Sequence, residues 1–501
     1  MADASVARIA VPDVDWTLAR DVLERARVGG AQHAEVRGMT VDTRTLTTSD
    51  LVVESSAQSR EHGMSVRVLV DGCWGFAASD TMSAGLALVD RAVAMARASA
   101  RLVQRRVELA PEPVQVGQWS GPCDVDPRGV PEAELREFLL DLEARTRRGS
   151  STRHSNAQFT AVVESTWLAT LSGTAVSQAR SRIAADWTVL GSQDGTLIDE
   201  MSTVGPPVAG GWEMIRDGRH WDYAAECEQL SDLLDEKLRA PSVSPGVTTL
   251  VIDPSNLWLT IHESVGHATE LDRALGYEAN YAGTSFATPD QLGLLRYGTD
   301  LMHVTGDRTV EHGLATVGWD DEGVAAQEWD LVRDGVLVGY QMDRSMAGRL
   351  GFDRSNGCAY ADSPLHTPVQ RMPNVSLRPG SDQRSTADLI AGVDSGYYIV
   401  GDRSWSIDMQ RFNFQFTGQR FYRIESGRLA GQVRDLAYQS RTPDFWGGLV
   451  ALGGPETYLL AGALNCGKAQ PGQVAAVSHG CPSAVFEQVT ILNAASAGGL
   501  A

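Results

Sequence analysis

The chain reads as an α+β protein in two units, an N-terminal α/β domain over residues 1–240 and a β-rich C-terminal domain over 241–501 that carries a metal-binding helix. Three observations predict this division. Helical periodicity encloses strand-like runs early in the chain, and strand signals dominate beyond residue 300. Between them lies the Pro/Gly/Ser-rich stretch Ala240-Pro241-Ser242-Val243-Ser244-Pro245-Gly246. At 501 residues the chain is also too long for a single core.

In order along the chain, residues 15–28 and 81–104 space their apolar side chains as helices do, and 33–38, 50–54 and 64–70 read as strands. A second strand-rich run extends from Gln158 to Val189, with Ser172-Gly173 and Gln193-Asp194-Gly195 as turn signals. After the boundary, Thr248-Thr249-Leu250-Val251-Ile252 reads as a strand, Asp253 as an N-cap and Pro254 as a first helical residue. Leu257, Trp258 and Ile261 give that helix an apolar face. Further on, Trp329-Asp330-Leu331-Val332, the turn Arg333-Asp334-Gly335 and Val336-Leu337-Val338-Gly339-Tyr340 predict a hairpin. Phe421-Tyr422-Arg423-Ile424 followed by Glu425-Ser426-Gly427-Arg428-Leu429 predicts a similar one.

The helix after Pro254 contains His262-Glu263-Ser264-Val265-Gly266-His267, an HExxxH run. Two imidazoles beside a carboxylate supply neutral nitrogen donors for a cation such as zinc and a base for a metal-activated water, the chemistry of a metal-dependent hydrolase. On an ideal helix, rotating by about 100° per residue, the two histidines would stand about 140° apart, too far to share one ion. A π-type widening or helix break within 262–267 is therefore expected, with Gly266 tolerating the unusual backbone. A third ligand is needed. On the residues alone it stays open among Glu270, Glu278, Cys358, Cys466 and Cys481. Cys466 sits in Leu464-Asn465-Cys466-Gly467-Lys468, where a nearby positive charge would favour the thiolate.

Composition narrows the classes of function. With 43 basic and 63 acidic side chains the net charge is -20, which disfavours direct binding to nucleic acid. Arg145, Arg147, Arg148 and Arg153 form a local basic run that reads as a solvated helix end and loop. No apolar run is long enough to span a bilayer and Met1-Ala2-Asp3-Ala4 does not open a signal peptide, so no membrane partner and a cytoplasmic location are expected. Six cysteines scattered without paired spacing argue against a disulfide framework.

The sequence HESVGHATE, followed far downstream by Asn465-Cys466-Gly467-Lys468, resembles the TldD/PmbA peptidases, in particular their motif-bearing, TldD-like branch. Gly63-Met64-Ser65-Val66-Arg67 leading to Gly75-Phe76-Ala77, Arg371-Met372-Pro373-Asn374 before Pro379-Gly380, and Gly453-Gly454-Pro455-Glu456 add to the likeness, which runs from about residue 60 to about 490. The resemblance implies a Zn2+ peptidase in which His262, His267 and Cys466 hold the metal and Glu263 acts as base. It also implies unfolded peptides or modified-peptide leader segments as substrates, taken into an enclosed cleft, and pairing as a homodimer or with a homologous subunit. Two other readings go with it: a non-catalytic partner subunit, and a metal hydrolase of small amides in a biosynthetic pathway. The chain departs from the family pattern at Val369-Gln370 and Pro373, and Cys481 in His479-Gly480-Cys481-Pro482 is a rival to Cys466.

Overall fold

The computed structural model describes residues 7–103, 105–195 and 197–497, so residues 1–4 and the last position of the expected 81–104 helix lie outside it. In the N-terminal part a mixed sheet runs in the order Cys73–Ser79, Val52–Val70, His33–Ser49, Thr152–Thr170, Ala175–Gln193, Val116–Ser120. Only the last pair is parallel. The layer expected as α/β is thus mainly antiparallel, because its long strands come as hairpins closed by tight turns, His33–Ser49 with Val52–Val70 and Thr152–Thr170 with Ala175–Gln193.

The strands expected separately at 50–54 and 64–70 belong to one element of 19 residues, and Asp50 and Leu51 form its turn at φ 49° and 67°. Its polar centre, Ser55 to His62, is exposed and carries no alternation, so it reads as loop. Backbone pairing to His33–Ser49, continuous apart from one irregularity near the turn, holds it extended. The run expected at 158–189 is likewise a hairpin of two 19-residue strands.

The first expected helix forms as Trp16–Val28, with Asp15 capping Thr17 and Leu18, and the second as Gly85–Ser99. Both pack on one end of the sheet, burying Ala19, Val22, Leu88 and Val89 against Val36, Val66 and Val68. Gly75 marks the contact: a Cβ there would stand 1.9 Å from the carbonyl oxygen of Ala92. A second pair of helices, Glu132–Arg145 and Tyr223–Arg239, was not expected; it covers Phe159, Ile183 and Trp187 at the other end. Arg145 closes the first of these, and Arg145, Arg147 and Arg148 pair with Asp141, Asp50 and Glu228 at the surface, as expected of a solvated helix end and loop.

In the C-terminal part five strands pair into a closed ring: Ser395–Ile407, Gly246–Ile252, Ala484–Asn493, Leu436–Arg441 and Asn413–Glu425, the last pairing back to the first. Both expected hairpins form. Glu328–Arg333 pairs with the short Val336–Leu337 across Asp334 and Gly335, and Asn413–Glu425 with Arg428–Val433 across Ser426 and Gly427. The strand Gly246–Ile252 feeds the helix Pro254–Ile261, whose Asp253 cap accepts from the Ser255 N–H at 3.0 Å. Every residue of that helix is buried. A separate two-stranded ribbon, Leu459–Lys468 with Gln473–Cys481, packs against it and brings Cys466 back across the fold. Among the described residues no helix is long and apolar enough to cross a membrane, and all six cysteines are free.

Candidate metal centre

The helix Pro254–Ile261 continues into a π-turn over His262–Gly266, as the five-residue step between the two histidines requires. The extra residue per turn cancels the angular mismatch, and the imidazole centroids come to 4.6 Å. Gly266 serves a different purpose from the one expected. Its backbone is ordinary right-handed helix at φ -53°, but a Cβ would lie 2.6 Å from Sδ of Met372. Close approach of the 371–374 segment, not backbone freedom, requires glycine here.

Each histidine is oriented by its far nitrogen. Nδ1 of His267 donates to Oε2 of Glu270 at 2.9 Å, which leaves Nε2 as a bare lone pair. For His262 the partner is a third histidine. His479 Nδ1 donates to the Val375 carbonyl at 2.9 Å, so its Nε2 can only accept, and His262 Nδ1 donates to it at 2.7 Å. A backbone carbonyl thereby sets the tautomer of His479 and, through it, that of His262. Burial pushes His262, His267 and His479 below the ordinary imidazole value, which keeps all three neutral.

Cys466 completes the cluster. Its Sγ lies 3.6 Å from Nε2 of His267, and one donor atom each from His262, His267 and Cys466 all fall within 4.8 Å of one another. Burial alone would raise the thiol, but His267 and the Arg371 guanidinium bring it below its usual value. Since His267 is kept neutral, the lasting charge on the sulfur's surroundings is that of Arg371, whose Nη2 donates to the Cys466 carbonyl at 2.5 Å.

The other candidates stand elsewhere. Glu270 lies behind His267, held well below the carboxylate range, against the cost of burial, by Lys468, His267 and Arg273. Lys468 Nζ reaches Glu270 at 3.0 Å and Asp272 at 2.8 Å, with Lys468 and Glu270 fully buried. Cys481 sits beside the first turn of the motif helix, its Sγ 3.6 Å from the Pro254 carbonyl, and burial holds it as a thiol. Glu278 accepts from the Ala469 N–H at 3.3 Å, and Cys358 is enclosed near Met342 with its thiol pushed up to about 12 by burial. Glu263 accepts from Arg411 Nη1 at 2.5 Å. Sequence reasoning missed Arg411 and His479 as members of this constellation, and Lys468, expected to favour the Cys466 thiolate, instead pairs with Glu270 and Asp272 while Arg371 supplies the charge near the sulfur.

Lys468 neutralises two buried carboxylates, so Lys468→Met is expected to destabilise the fold by about 3–5 kcal/mol, read from the denaturant midpoint. An unchanged midpoint would show that the charge is met by other groups.

Zinc bonds of about 2.0–2.1 Å to nitrogen and 2.3 Å to sulfur at a tetrahedral angle set the two donors about 3.6 Å apart, and the His267–Cys466 separation is 3.6 Å. The residues present therefore fit a small thiophilic divalent ion. Fold and site together define an α+β protein with a buried His/His/Cys cluster beside a carboxylate. Two models of one family match it: the PmbA/TldA metallopeptidase C-terminal domain over residues 245–493, and the PmbA/TldA metallopeptidase domain 1 over 34–96. The chain belongs to the PmbA/TldD metallopeptidase family. It is 25% identical over 415 residues to a metalloprotease of Methanocaldococcus jannaschii, covering 82% of this chain and 87% of that protein. To a metalloprotease of Methanothermobacter thermautotrophicus it is 27% identical over 456 residues, 90% and 93% of the two chains. The solved structure of TldE from Thermococcus kodakarensis superposes with a TM-score of 0.72 at 16% identity over 95% of this chain and 99% of that one, a likeness of fold.

Proposed function

We propose that this chain is a zinc-dependent peptidase acting on unfolded or modified peptides in an enclosed cleft, with His262, His267 and Cys466 as metal ligands and Glu263 as general base. The observation that carries the reading is the convergence of three donor atoms of the right chemistry within 4.8 Å, with Glu263 in the same π-turn. When bound, zinc acts as a Lewis acid that acidifies water and polarises a carbonyl oxygen. Glu263 takes the proton from the attacking water and passes it to the leaving amine. Arg411 holds Glu263 by one carboxylate oxygen, which fixes the side chain and leaves the other for proton transfer. Residues 1–240 and 241–501 form the two units of this enzyme, and it works in the cytoplasm, as a homodimer or paired with a homologous subunit. The family's relatives named metalloproteases support the class of activity.

Elemental analysis of the purified chain, combined with cleavage of a panel of short peptides with and without a chelator, tests the proposal. One zinc per chain and chelator-sensitive cleavage of peptides and denatured proteins, but not of folded ones, is the expected result. A metal-free chain without cleavage overturns it in favour of a non-catalytic subunit, and turnover of small amides alone overturns the peptide assignment. Because His479 orients His262, His479→Ala is expected to weaken zinc about 10- to 100-fold in a chelator competition, and an unchanged affinity would remove that role.

A further inference from the structure

A small cavity lies one layer away from the metal cluster, lined by Arg180, Arg182, Arg308 and Arg371 with Tyr360 and Met372. All four guanidinium side chains are at least nine-tenths buried. An arginine keeps its proton in any protein environment, so four positive charges are fixed here.

The counter-charge in reach is too small. Glu164 accepts from Arg180 at 2.8 Å, from Arg182 at 2.7 Å and from the Tyr360 hydroxyl at 2.9 Å. Arg371 spends its terminal nitrogens on the neutral carbonyls of Gln473 and Cys466. Arg308 makes no side-chain hydrogen bond or ion pair among the described residues, and Nε of Arg182, Arg308 and Arg371 are buried without partners. Asp321 is engaged by Arg37. Asp320 lies within electrostatic reach of Arg308, but burial and the neighbouring Glu322 push its carboxyl up to about 8, so it brings little negative charge, and its oxygens accept the backbone N–H groups of Glu322, Val324 and Ala359. A buried excess of this kind is strongly unfavourable unless an opposite charge sits among the donors. Water could satisfy hydrogen bonds there but would bring no charge.

We infer that this cavity is an anion site, built by Arg182, Arg308 and Arg371 for a single inorganic monoanion of halide size. The size follows from the room available, about 10 Å³, which is at the lower limit for one water, so only a monatomic ion seated by small movements of the arginine side chains is admitted. A carboxylate on a peptide tail needs more space than this. Occupation anchors Arg371, and with it the carbonyl of Cys466 and the ribbon that carries that residue. The inference stands on charge and space and is independent of the peptidase reading.

Thermal unfolding of the full chain, exchanged into sodium gluconate and titrated with sodium chloride at constant ionic strength, tests it. The midpoint is expected to rise by about 2–4 °C and to saturate, and Arg308→Met is expected to abolish the response. Wild-type crystals soaked in bromide are expected to show an anomalous peak within hydrogen-bond reach of Arg308 and Arg182, a readout that stands even where the variant fails to fold. An equal rise in gluconate alone, a non-saturating response, a crystal with no bromide in the cavity, or a peptide carboxylate found there in its place overturns the inference.

Discussion

Replacing Glu263 by glutamine is expected to lower kcat for peptide hydrolysis by roughly a hundredfold or more while leaving the zinc content of the chain unchanged. The substitution keeps the shape of the side chain and an oxygen able to accept from Arg411, which the carboxylate now engages at 2.5 Å. It removes only the capacity to take a proton. A loss of a hundredfold corresponds to about 2.7 kcal/mol of barrier, the lower range for a positioned general base. Steady-state kinetics and elemental analysis on the same preparation check it. Full turnover in Glu263→Gln would show that another group accepts the proton, and loss of metal together with activity would move Glu263 into the role of ligand.

Cys466→Ala and Cys481→Ala are expected to behave in opposite ways. The sulfur of Cys466 is 3.6 Å from Nε2 of His267, so its removal leaves two donors where a zinc site needs three. Zinc retention should fall by more than the roughly 100-fold associated with loss of an outer-shell partner, and activity should fall with it. The sulfur of Cys481 touches the Pro254 carbonyl at the start of the helix, away from the cluster. Its removal should cost on the order of 1 kcal/mol of packing and leave metal and turnover intact. Chelator competition on the two variants separates the cysteines, and a metal-free Cys481→Ala protein would reverse the assignment.

The parts of this molecule governed by local rules were legible in its residues. The cap at Asp253, the proline that follows it, the two hairpin turns and the π-turn at 262–266 all follow from short-range backbone chemistry. The π-turn was readable because two histidines five residues apart cannot converge on an ideal helix. The long exposed arm between Ser55 and His62 was not, since nothing in its side chains alternates and its extended form comes from pairing with a neighbouring strand.

At the metal cluster the division is the same. His262, Glu263 and His267 share one helical turn and announce themselves. Cys466 reaches them through the register of a ribbon about two hundred residues away, and family resemblance, not spacing, singled it out over Cys481. His479 went unnoticed because a lone histidine beside a glycine and a cysteine carries no signature; only the chain from the Val375 carbonyl to His262 reveals its part. Arg411 sits in a turn at φ 62° and meets Glu263 through tertiary packing alone. Gly266 was assigned the wrong reason, because the neighbour that excludes a Cβ, Met372, is remote in sequence.

In the proposed site a distorted helix and a distant ribbon grip one zinc ion between them. Diffraction from zinc-supplemented crystals on both sides of the zinc absorption edge measures this directly. A single anomalous peak bonded to His262, His267 and Cys466, with Glu263 beside it, is the predicted result. A peak on other residues, or none with the sulfur of Cys466 turned away from the histidines, would contradict it.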